Sequence, residues 1–245
     1  MIPYDQPLFW ILACIGLIFT GISKSGFAAG AGTVVVPLLA LVMPLPAAAA
    51  LVLPLLLVMD ARTIWHYRHD IDRQELKQIV PAAVIGIGIG SLALGKLPES
   101  ALQLGLACLC ILFACWQPLT RYLSQLRGAS WLWGGLSGIS STLIHAGGPP
   151  LNIYLIGRQL PKLRWLATTA VSFGIMNSLK LLPYYLLGQW NQTLLLTAVA
   201  LVPAALLGVK IGHRIQGNIS EAQFMRFCRG LLLASGVILL TKAVP

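Results

Sequence analysis

Two cationic or titratable side chains, Lys24 and His145, stand beside glycine-rich interruptions in otherwise apolar sequence, and their neighbours are hydroxyls and glycines rather than carboxylates. The first interruption reads Ser23-Lys24-Ser25-Gly26, followed by Gly30, Gly32 and Thr33; the second is bracketed by Ser137, Ser140, Ser141, Thr142, His145, Gly147, Gly148 and Asn152. An ammonium, several O–H donors and the unpaired N–H groups of a helix restarting after a break suit the binding of a small oxyanion. A lysine between apolar runs is costly unless it is paired, snorkels to an interface or binds an anion. His145 fits either a proton-linked ligand or a packing histidine, since imidazole ordinarily titrates near pH ~6.5. Asp60 and Arg62 close the third apolar run, as part of a proton or substrate path or as a cap at its end, the plainer reading. Asn177 and Lys180 lie within the eighth run, where such residues line cavities or join helices.

The elements that must position these residues are membrane helices. Apolar residues make up 57% of the 245 and charged residues 10%, which leaves too little polar surface to cover a soluble globule. Apolar runs long enough to cross or enter a bilayer follow one another nearly end to end. The net charge of +10 sits in short loops between these runs, the pattern of the positive-inside rule, so nucleic acid is not expected as a partner. All five cysteines lie in apolar stretches without metal-site or disulfide spacing. Nothing requires a metal or organic cofactor, and no removable signal peptide is evident. Trp10, Trp65, Trp131, Trp133, Trp165 and Trp190 fall near run ends, where interfacial anchoring is the default.

An internal repeat organises the chain. Val80-Pro81-Ala82-Ala83, Gly86, Ile89-Gly90, Gly95 and Glu99 recur 122 residues later at Val202-Pro203-Ala204-Ala205, Gly208, Ile211-Gly212, Gly217 and Glu221, nine identities in twenty positions. Biased composition would give roughly two. Further upstream Leu45-Pro46 answers Leu160-Pro161, and the break near Gly32 answers that at Gly147, at a spacing of 115. Glycines 86, 90, 208 and 212 read as close helix contacts. The loop with Arg62, Arg68, Arg73 and Lys77 has an uncharged counterpart at 188–192, and Arg158, Lys162 and Arg164 answer an uncharged 43–46. Equivalent loops therefore face opposite sides. Arg121, Arg127, Lys210 and Arg214 join the cytoplasmic set, leaving Lys96 and Lys242 outside together with both termini. The expected fold is an all-α integral membrane protein of a single transmembrane domain. Residues 1–120 form one repeat, 121–129 a cytoplasmic linker and 130–245 an inverted second repeat. Each repeat is a broken or re-entrant helix pair plus three transmembrane helices. The glycine-rich breaks, with Pro149-Pro150 in the second, are expected to interrupt the helices.

Inverted repeats with midplane breaks are a secondary-transporter architecture. The expected partners are a small anionic substrate and the lipid bilayer, and the glycine-rich faces would permit a homodimer. Two other functions compete with transport by alternating access. A passive anion channel would use the same positive ends. An intramembrane hydrolase would use the Gly135-Leu136-Ser137-Gly138 segment with His145, although eight residues separate Ser137 from that base on one run. The glycine-rich break followed by Val36-Pro37-Leu38-Leu39, the duplicated Val-Pro-Ala-Ala-x-x-Gly-x-x-x-Gly element and the two-half plan resemble the TauE/SafE family of sulfite and organosulfonate exporters, over essentially the whole chain. That resemblance implies a multi-pass transporter of the cytoplasmic membrane, a small sulfur-containing or related anion as cargo, and export as its direction. Lys24 with Phe27-Ala28-Ala29, and His145 with Pro149-Pro150, depart from the glycine-richer family pattern.

Overall fold

The computed structural model describes residues 3–27, 34–94, 96–115, 128–216, 220, 226, 230 and 233–241. Nine helices follow in order among them: α1 (Pro7–Gly26), α2 (Val35–Leu39), α3 (Leu45–Tyr67), α4 (Arg73–Ala93), α5 (Glu99–Cys115), α6 (Ala129–Ile144), α7 (Gly148–Gly157), α8 (Lys162–Leu186) and α9 (Gln192–Ile215). Residues 233–241 are also helical, and no strand occurs among the described residues. The protein is an all-α membrane protein. Helices α1, α3, α4 and α9 are long and apolar enough to cross a bilayer. At 25 residues α8 is the longest, yet Thr168, Thr169, Ser172, Asn177, Ser178 and Lys180 dilute its apolar character.

Local sequence accounts for most helix boundaries. Asp72 caps α4 by accepting from Gln74 N and Glu75 N, and Asn191 caps α9 by accepting from Leu194 N. Pro44 and Pro161 stand at the N-caps of α3 and α8 with closely similar backbone angles (φ −56°, ψ 136° and φ −54°, ψ 145°). These two prolines are 117 residues apart, so the helix starts pair Pro44 with Pro161 rather than Pro46 with Pro161 as the 115 spacing has it. The prolines inside α3, α4, α8 and α9 sit within continuous helices.

Helix α1 continues further than its glycine content suggests. Helix α1 runs unbroken through Ile22-Ser23-Lys24-Ser25-Gly26, so these residues form its last turns rather than an unwound segment. The physical reason is packing. A Cβ on Gly21 would come within 2.7 Å of Val209 N, and one on Gly26 within 2.8 Å of Gly212 O, so glycine lets two backbones touch where any side chain would separate them. That contact outweighs glycine's weak helix propensity. The chain then turns back, since α2 lies beside the middle of α1, where a Cβ on Gly16 would meet Val35 Cα at 3.0 Å. The second break falls where glycine and proline indicate. His145 takes a left-handed backbone (φ 54°) at the end of α6, and α7 starts at Gly148 and folds back so that Ser137 Oγ donates to Gly147 O at 2.7 Å.

The most extensive helix packing joins α4 to α6 and α1 to α9, with α3 crossing α8 next. Gly134 packs on Ile79 and Ala82 and Gly138 on Ala83 and Ile87, so α6 and α4 run in the same direction. Gly21 and Gly26 meet Ala205, Val209 and Gly212 in the same progression, so α1 and α9 also run together. At one end of the bundle Tyr67 meets Gln216, Asp72 N donates to Thr168 Oγ1, and Arg158 pairs with Glu75 at 2.7 Å. At the other end Leu45 N donates to Glu99 and Trp190 Nε1 to Ala50 O. The first end carries Arg68, Arg73, Arg158, Lys162 and Arg164; the uncharged loops 43–46 and 188–192 lie at the second. The main core cluster is built around α1, α2 and α3, with α3 the most enclosed of the crossing helices.

Candidate functional site

Helices α3 and α8 cross at mid-length, and the polar residues buried there divide into two groups joined by one hydrogen bond. In the first, Lys24 Nζ of α1 lies 2.6 Å from Asp60 Oδ1 of α3. The ammonium also sits 5.1 Å over the Phe173 ring. Asn177 Nδ2 of α8 donates to Asp60 Oδ2 at 2.6 Å and links the two helices. In the second group Lys180, fully buried on α8, has Nζ within hydrogen-bond distance of Ser141 O (3.0 Å), Ser141 Oγ (2.9 Å) and His145 Nδ1 (2.9 Å). His145 Nε2 lies 2.8 Å from Ala49 O of α3. A carbonyl only accepts, so Nε2 carries a proton toward Ala49 O, while Nδ1 stands between Lys180 Nζ and Ser141 O, the latter at 3.0 Å. The His145 ring stacks on Tyr184, centroids 5.8 Å apart and planes at 11°.

Charge separates the groups. Lys24 and Asp60 neutralise each other, whereas Lys180 rests on neutral acceptors with no carboxylate within ion-pair distance among the described residues. The buried layer thus holds one amine, that of Lys180, which no carboxylate among the described residues neutralises. An unbalanced ammonium in a low-dielectric interior attracts an anion far more strongly than one in water.

The sequence candidates fall into place as follows. Lys24, Asp60, Asn177, Lys180, Ser141 and His145 come together at the crossing. Ser23 is buried on α1. Ser25 Oγ donates to Gly21 O and Val209 O, and Thr142 Oγ1 to Gly138 O, so both hydroxyls hold helices rather than face an open site. Gly26 and Gly147 are contact glycines: a Cβ on Gly147 would meet Ser141 Cβ at 2.7 Å. Gly148 begins α7, where Pro149 and Pro150 supply no N–H, so this terminus presents fewer donors than a helix start normally offers. The helix-end anion hole expected from the breaks is correspondingly poor, and α2 is only five residues long. Asn152 is buried on α7. Arg62 is exposed near the basic end and away from the crossing. Gly30, Gly32 and Thr33 lie outside the described residues. The Ser137–His145 pair that hydrolysis would need does not form, because Ser137 donates to Gly147 O and both imidazole nitrogens are engaged elsewhere.

Two tyrosines were missed. Tyr67 Oη donates to Ser25 O at 2.6 Å, and Tyr184 Oη to Thr142 O at 2.9 Å. Ser25 and Thr142 are 117 residues apart, as are Tyr67 and Tyr184, Gly21 and Gly138, and Asp60 and Asn177. A search for this spacing would have singled them out.

No curated protein and no solved structure matches the chain significantly. The family described as Sulfite exporter TauE/SafE matches residues 12–239, nearly the entire chain and all nine helices save the first turn of α1. With its multi-pass helical bundle and buried polar crossing, the chain belongs to the TauE/SafE sulfite exporter family of membrane transporters.

Proposed function

We propose that this protein is a secondary transporter that exports sulfite or a closely related small sulfur-containing anion by alternating access, and that Lys180, with Ser141 and His145, is the anchor for that anion. The observation that carries this is a buried amine without a counter-charge: Lys180 is completely enclosed and has only neutral partners, while the neighbouring Lys24 is already matched by Asp60. An arriving oxyanion can replace the Ser141 carbonyl or the imidazole as acceptor and balance the charge.

The inverted duplication supports alternating access. Tyrosine–carbonyl bonds recur at 117-residue spacing, α1 on α9 mirrors α6 on α4, and the Asp60–Asn177 hydrogen bond joins equivalent positions of the two halves. The crossing is also shut to solvent, with Lys180 at 0%, Asn177 at 1% and His145 at 5% exposure. A site closed on both sides fits a carrier that opens one side at a time better than a continuous pore. Clustering of arginines and lysines at one end supports that end as cytoplasmic, with the N-terminus of α1 outside. The cytoplasmic membrane is the one for which we propose this orientation.

The test is sulfite counterflow in proteoliposomes made with the full-length chain. Wild type should exchange labelled sulfite, and Lys180→Met should lose it while remaining folded. Exchange preserved in Lys180→Met would remove the anchor from Lys180, and wild type unable to exchange sulfite or any related sulfur anion would defeat the substrate class.

A further inference from the structure

The buried face of α8 is polar beyond what the crossing explains. Between the basic end and Lys180 it presents Trp165, Thr169, Ser172, Met176 and Lys180, residues that share one face at helical spacing. Two of them carry donors with nothing to bond: Trp165 Nε1 and Thr169 Oγ1 are buried and have no hydrogen-bond partner. Thr169 is 4% exposed, and its hydroxyl lies one helical turn, about 6 Å, from the level of Trp165. On α7, Asn152 Oδ1 is likewise buried and unmatched, in a residue 8% exposed. Trp165 packs against the cluster that contains Leu151, Tyr154 and Leu155 of the same helix α7. Buried polar groups normally find partners, because each unmatched one carries the full cost of its desolvation.

The first half has no such feature. At 117 residues earlier the chain has Val35 for Asn152, Ala48 for Trp165, Val52 for Thr169 and Leu55 for Ser172, with Met59 for Met176. Core packing of the same helix is therefore satisfied by apolar side chains, and the polar set in the second half answers another need. Ser172 and Thr168 have local duties, Ser172 Oγ bonding Thr168 O and Thr168 Oγ1 receiving Asp72 N. Trp165, Thr169 and Asn152 do not.

We infer that the buried face of α8 between the basic end and Lys180 is the passage by which the anion travels, and that Trp165 Nε1–H and Thr169 Oγ–H on that face form an outlying subsite for a small oxyanion. The inference rests on the transport function proposed above. Two unmatched donors one turn apart on one helix face can each engage a small anion moving along it, and the loops carrying Arg158, Lys162 and Arg164 lie at that end of the bundle. Thr169 lies 11 residues, about 16 Å, from Lys180, too far to share one bound ion. The subsite is a station on the route and separate from the anchor.

The experiment compares wild type, Thr169→Val, Trp165→Phe and Lys180→Met in sulfite counterflow, in sulfite binding at equilibrium and in thermal unfolding. Both subsite variants should lower the initial rate at subsaturating sulfite by about five- to tenfold, the loss of roughly one hydrogen bond. Sulfite affinity at the Lys180 anchor should stay within about twofold in the same proteins, since a station on the route alters rates and leaves the end point unchanged. Thr169→Val should also raise Tm, by about 2 °C, because an unmatched hydroxyl is replaced by a methyl of the same shape. Rates equal to wild type in both variants, with Lys180→Met inactive, would overturn the passage and leave the function standing. A fall in Tm together with rate in Thr169→Val would make the hydroxyl a structural group and overturn it as well. Wild type without sulfite exchange would bring down the function and this inference together.

Discussion

The two ends of the Asp60–Asn177 hydrogen bond belong to equivalent positions of the proposed halves, yet one side is an electrostatically closed unit and the other is open. Lys24 meets a carboxylate at 2.6 Å. Its counterpart 117 residues on is Ser141, and the cation has moved to Lys180, where the first half has Thr63. In the proposed two-half plan one side thus has a fixed ion pair, which joins α1 to α3, and the other a buried amine without a counter-charge, which we propose takes the ligand. The difference teaches that charge alone does not mark a binding site in a membrane interior. The question is whether that charge has already been matched.

Stability measurements in detergent would break or sharpen this contrast. Asp60→Ala leaves Lys24 buried and alone, and should cost about 3–5 kcal/mol, so that thermal unfolding shifts down by roughly 10 °C or folded protein is not recovered. Replacing the pair together, Lys24→Met with Asp60→Leu, should restore most of that loss; failure to recover would mean that the ion pair serves more than mutual neutralisation. Next come the contact glycines. Gly208→Ala pushes a methyl against Ile18 O at 2.5 Å, and Gly86→Ala drives one into Gly135 O, so each should lower stability by about 1–3 kcal/mol. Thermal scans giving unequal losses would argue against equivalent roles for α4 and α9.

A smaller effect is expected at the paired tyrosines. Tyr67→Phe and Tyr184→Phe each remove one buried hydrogen bond to a carbonyl, for about 1 kcal/mol apiece, and the two melting curves should shift alike. Smallest of all is Lys180→Met, whose melting temperature should lie within about 1 kcal/mol equivalent of wild type, since the loss of three hydrogen bonds is offset by removal of an unmatched charge. A collapse in stability there, comparable to Asp60→Ala, would show that Lys180 is a structural cation and erase the contrast.

Much of the scaffold was legible because its determinants are local. Apolar run length marked the crossing helices, and basic loops separated one end of the bundle from the other. The repeated Val-Pro-Ala-Ala-x-x-Gly-x-x-x-Gly element marked the helices whose glycines touch a partner backbone at Gly86 and Gly208. The site was legible in its members but not in their pairing. Lys24 looked like the anion ligand because the carboxylate that neutralises it is 36 residues away on another helix. The end of α1 looked unwound because glycine propensity is a local quantity, whereas the contact with Gly212 that stabilises the turn is not. Tyr67 and Tyr184 gave no motif, and their 117 spacing gains meaning only beside Ser25 and Thr142.

By itself, the sequence determined that the chain lives in a membrane, that it is helical, and which polar residues lie in apolar surroundings, since these follow from solvation and from helix period. Only the tertiary structure decided which of those polar residues satisfy one another. Electrostatic matching is set by distances of a few ångströms between side chains far apart in the chain, and that proximity leaves Lys24 paired with a carboxylate and Lys180 with neutral partners alone.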